Sequence, residues 1–214
     1  RWRLAEEPDL TAFVSWPQWD TNAPLWRRSA VIKIGRWQPE LLAWQDYEYH
    51  IRAIAAGMTA RGLTEVLCYA REHSRHRIDQ PRPSVQKLRS FVRACRRVSG
   101  HLDRLEMGRC PAREALANRL RGIAMLCFEQ GERLLARQAL RLGLAQTPSA
   151  ARRAYMWMLL GFTCLPAGDR AALRAQSFCP GLGHFARRLR LLPRHETQAV
   201  LQGNVGPLRF LPRQ

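Results

Sequence analysis

LTAFVSW, residues 10–16, is the stretch on which the fold turns. Its apolar residues alternate loosely with Thr11 and Ser15, which reads as a strand. LTEVLCYA, residues 63–70, is β-rich and is the best strand candidate in the chain. Between them, NAPLWRRSAVIKIGRW (22–37) reads as a short extended piece, a helix of about two turns and a glycine stop. DYEYHIRAIAAG (46–57) places Tyr47, Ile51, Ile54 and Ala55 on one helical face, with Asp46 at the N-cap and Gly57 past the end. This mixture over residues 1–80 has the texture of an α/β domain, and the prolines and charges of RHRIDQPRPS (75–84) mark a boundary.

From Ser84 onward the pattern becomes helical. Val85, Leu88, Phe91, Val92, Cys95 and Val98 recur at three- and four-residue spacing and make one apolar stripe, which Gly108 and Pro111 break. AREALANRLRGIAMLCFEQG, RLLARQALRLGLAQTP and SAARRAYMWMLLGFT follow as three more helices, separated by short Gly and Pro joints that suit antiparallel hairpins. Residues 115–148, with Gly131, Ala136, Ala139, Ala145 and Pro148, resemble one tetratricopeptide unit, too few for a solenoid. The expected organisation is an α/β region at 1–80, a helical hairpin region at 84–165 and a basic amphipathic, loose tail at 166–214, mostly helical overall.

With 214 residues, 46% of them hydrophobic, the chain is long enough to bury a real core. No stretch approaches the ~18 to 20 consecutive apolar residues of a spanning helix, and no signal segment opens the chain. The default location is the cytoplasm, with peripheral contact at the inner membrane face through residues 184–195 as a variant. Residue 1 is Arg, and the opening RWRLAEEPDL reads as the middle of a longer chain. Six cysteines are scattered without a CxxC pair, which favours buried free thiols over a zinc site.

The net charge of +18 is almost entirely arginine, since Lys33 and Lys87 are the only lysines. Such a surface attracts nucleic acid, anionic headgroups or anionic substrates. Nucleic acid is disfavoured among these, because no reading motif is present and no aromatics visibly interleave with the charge.

One ordered set of residues carries a family resemblance: Arg27-Arg28, Gly35-Arg36-Trp37, Gln45-Asp46, Arg52, Gly57 and the run Tyr69-Ala70-Arg71-Glu72-His73-Ser74. Over residues 10–80 this order resembles the second half of a family 2 glycosyltransferase catalytic domain of the GT-A type. The resemblance implies the acceptor-side half of an enzyme that moves a sugar from a nucleotide-sugar donor to a glycan, lipid or protein acceptor. It makes Asp46 the general base that takes the acceptor hydroxyl's proton, kept ionised by its helix N-terminus. It makes His73 a ligand for the divalent metal (Mn²⁺ or Mg²⁺) of the complete enzyme, and Arg71 a partner for phosphate oxygens. Arg27 and Arg28 would steady the loop or the donor phosphates, and Gln45 stands where the family has Glu; of the clustered Trp16, Trp19, Trp26, Trp37 and Trp44, Trp26 and Trp44 would line the acceptor site, with core packing the reading for most of the set. A departure is the missing DxD motif: the donor half is absent from these residues, so the fragment alone is expected to be inactive. The alternatives are a helical, tetratricopeptide-like protein-binding module and an arginine-rich binder of anionic surfaces or nucleic acid.

Overall fold

The computed structural model describes residues 9–61, 83–106, 108 and 110–177. Helices α1 (Leu10–Ser15), α2 (Arg28–Ile34), α3 (Gln45–Ala55), α4 (Val85–Arg104), α5 (Pro111–Glu129), α6 (Arg133–Gln146), α7 (Ala150–Phe162) and α8 (Gly168–Ser177) follow in order. They take up 68% of the described residues, and none of those residues lies in a strand. Over the described residues, the expected α/β fold is therefore corrected to a helical one.

LTAFVSW shows why. The Asp9 carboxylate accepts from the Thr11 amide at 2.8 Å and caps the helix, while the Ser15 hydroxyl donates to the Thr11 carbonyl at 2.8 Å. The neighbours Phe13 and Val14 are both buried, at 2% and 0% exposure. A strand sends successive side chains to opposite faces, so a two-sided core would be needed to bury both; a helix buries both against one core. The other strand candidate, residues 63–70, lies outside the described residues.

Helix α5 is the axis of the fold. Residues 121–128 are buried without interruption, and α1, α4, α6 and α8 all pack on it. Its closest partner is α6, joined through Gly131, whose φ of 73° suits glycine. Ala136, Ala139 and Gly143 form a small-residue seam along α6. A Cβ at Gly143 would stand 3.4 Å from Leu120 Cβ and would collide with Met156 Cε, so this glycine admits α5 and α7 together. Ser84 and Ser149 cap α4 and α7 by accepting from the amides of Lys87 and Arg152. Helix α8, in a stretch expected to be tail, packs on α5 and α7 and buries Ala172.

A single cluster joins Phe13, Val14, Leu41, Tyr47 and Ile51 to Leu88, Leu120, Leu140 and Leu159. Each such fully buried side chain contributes about 1.5–3 kcal/mol before entropy is counted. Arg119 fastens α1 to α5 inside this core. At 1% exposure its guanidinium donates to the carbonyls of Val14 (3.1 Å) and Ser15 (2.8 Å) at the end of α1. The rings of Trp44 and Tyr47 lie 4.6 and 4.5 Å from its charge centre. Burial pushes the neighbouring Cys95 thiol up to about 12, as it does Cys127, so both are inert. Cys164, by contrast, is exposed and accepts from Arg137 at 2.9 Å.

Candidate anion-binding site

The sequence-predicted residues separate in the fold. Asp46 is not an N-cap: Trp44 holds that position in the left-handed region (φ 64°, ψ 26°), and Asp46 lies in the first turn of α3. One carboxylate oxygen accepts from the Thr21 hydroxyl at 2.7 Å and the other from the Tyr47 amide at 2.8 Å, which makes it a tie between loop and helix. Gln45 is the first residue of α3 and half-buried. Trp44 stacks on Phe91 at 4.1 Å, and Trp26 packs edge-on to Tyr49 at 5.2 Å, so both indoles serve the interior. Arg27 and Arg28 start α2 and are exposed. Arg71 and His73 lie outside the described residues. Among the described residues no group of three or more His, Cys, Asp or Glu side chains is placed to hold a metal ion.

A different set of residues is brought together where the loop 35–44 crosses α4. On α3, Glu48 is fully buried and faces Arg52 one turn later (3.1 and 3.2 Å) and the Nε2 of His101 on α4 (2.8 Å). The Arg104 guanidinium meets His101 Nδ1 at 2.6 Å. A guanidinium only donates, so Nδ1 accepts and Nε2–H donates to Glu48. Both ring nitrogens are thereby occupied, and the pair is a clamp rather than a base awaiting a substrate. Arg52 also donates to the carbonyls of Ile34 (2.6 Å) and Arg36 (2.9 Å), which anchors the start of the loop. Farther along, Glu40 pairs with Arg97, and the Ser90 hydroxyl donates to the Ala43 carbonyl (2.8 Å) while accepting from its amide (3.1 Å). The backbone hydrogen bond at Glu40, and then Arg97, hold the Glu40 carboxyl below its ordinary range.

The loop therefore runs antiparallel to α4, and the Arg36 carbonyl at its start is linked to Arg104 through Arg52, Glu48 and His101. At 100° per residue, Arg89, Arg93, Arg96, Arg97 and Arg104 fall within an arc of about 100° on α4, opposite its apolar stripe, and extend over about 22 Å. Arg89, Arg93 and Arg96 are exposed and form no hydrogen bond or ion pair among the described residues. The Asp103 carboxylate beside them is taken by Arg113 at 2.7 Å. The result is a strip of guanidinium groups whose local carboxylates are already occupied, with Gly100 leaving an open place between them.

Glu48 and His101 were missed as partners because residues 53 apart in sequence meet only through packing. The i,i+4 spacing of Glu48 and Arg52 was a legible local signal, as was the arginine spacing on the polar side of the α4 stripe. No helix among the described residues is long and apolar enough to cross a membrane. Comparison with protein-family models, curated proteins and solved structures finds no match for this chain.

Proposed function

We propose that this chain is a helical binding module that takes a polyanionic partner on the arginine face of α4. The observation that carries the proposal is the arc of Arg89, Arg93, Arg96, Arg97 and Arg104, held rigid by the core beneath it and poor in free carboxylates. A net charge of +18 draws anions toward the whole molecule, and the preset arc offers forked donors that match phosphate or sulfate oxygens. The glycosyltransferase resemblance is not carried forward: helix replaces its expected first strand, Asp46 ties a loop to α3 through hydrogen bonds, and Trp26 and Trp44 pack on Tyr49 and Phe91. Binding of inorganic polyphosphate tests the proposal. Affinity is expected to fall steeply with salt. The double substitution Arg93→Gln/Arg96→Gln should weaken binding and flatten that dependence by about 0.7–0.9 in log–log slope for each phosphate no longer neutralised. Unchanged affinity and slope in that variant would remove α4 from the site.

A further inference from the structure

Three residues before Glu40, which pairs with Arg97 of the arginine arc, the loop carries an exposed aromatic that is already stacked on one face. Trp37 lies parallel to Tyr49, with ring centres 4.7 Å apart and planes 3° from coplanar, yet it remains 41% exposed. Tyr49 is itself fixed, at 1% exposure, against Trp26, and the Arg52 guanidinium lies 5.0 Å from its ring centre. The indole is thus held from behind by a rigid ring ladder. The loop that bears it is pinned to α4 through Glu40–Arg97 and Ala43–Ser90, and the chain Arg36–Arg52–Glu48–His101–Arg104 fixes its start.

From this geometry we infer that the polyanion is a single-stranded nucleic acid, with a base stacked on the open face of Trp37 and the phosphates along the α4 arginines. The inference rests on the polyanion reading above and narrows it. The fold of the loop across α4 brings one exposed aromatic, Trp37, to the same side of the chain as Glu40–Arg97, a combination that the linear sequence does not display. Every base has a π face to offer an indole, whereas a duplex keeps those faces internal. Polyphosphate, acidic peptides and lipid headgroups use the arginines and leave Trp37 idle.

The test is fluorescence anisotropy of the full chain with a labelled mixed-sequence RNA strand of about 12 nucleotides. A hairpin duplex, inorganic polyphosphate and vesicles containing phosphatidylserine complete the set. The single strand is expected to bind best. Trp37→Leu should weaken the strand about tenfold with the salt slope unchanged, leave polyphosphate binding unaltered, and be partly rescued by Trp37→Phe. Circular dichroism of each variant checks that the fold persists. Equal loss for strand and polyphosphate, no loss for either, or preference for duplex or vesicles would overturn the inference while leaving a polyanion site standing. Failure of the wild-type chain to bind polyphosphate or RNA would overturn both readings.

Discussion

Replacing Glu48 by Gln strikes the clamp that holds the loop 35–44 over α4. The carboxylate is fully buried and answers Arg52, itself only 14% exposed, as well as His101. Removing one member of a buried ion pair leaves the other charge uncompensated, at about 3–5 kcal/mol. Gln keeps the shape and one acceptor oxygen, and Arg52 retains the Ile34 and Arg36 carbonyls, so a loss of about 2–3 kcal/mol is expected. With a urea dependence of about 1–3 kcal/mol per molar, the unfolding midpoint should fall by roughly 1 M. Tryptophan fluorescence in urea measures it, with Glu40→Gln, at an exposed pair, as the control expected to leave the midpoint in place. A double-mutant cycle with His101→Gln should return a coupling of about 1 kcal/mol or more. A midpoint for Glu48→Gln no lower than the control's, or strict additivity with His101→Gln, would refute the clamp.

Two other perturbations follow from buried groups. His50 is 1% exposed among Phe13, Trp19 and Trp26, with neither ring nitrogen bonded, and burial lowers its pKa against a smaller upward pull from Asp46. Because the unfolded chain binds that proton more readily, stability from this group is complete above about pH 6.5 and declines as pH falls from there toward the folded-state value. His50→Leu should flatten the fall in urea midpoint between pH 7.5 and 5; an unchanged fall would contradict it. Arg119→Met removes the donors to Val14 and Ser15 and is expected to lose about 3 kcal/mol, with hydrogen exchange in α1 accelerating most. Wild-type stability in Arg119→Lys would show that the forked geometry is immaterial.

Much of the helical half was legible in the chain. Leu88, Phe91, Val92, Cys95 and Val98 are buried on α4 as their spacing predicts, Pro111 opens α5, and Gly35 ends α2. These are local matters, in which period, cap and turn chemistry act within a few residues. The first stretch was misread for a related reason: seven residues are too short for period alone to separate a strand from a helix, and only burial of both Phe13 and Val14 decided it.

By itself, then, the sequence determined the positions of the C-terminal helices α4 to α7, the excess of positive charge and the amphipathic face of α4, because each depends on residue type and short-range spacing. Tertiary structure alone decided that Asp46 is a tie, that Trp26 and Trp44 belong to the interior, that Glu48 meets His101, and that Trp37 stacks on Tyr49. Those relations join residues tens of positions apart, and their energies come from desolvation and packing that exist only once the helices have closed around α5.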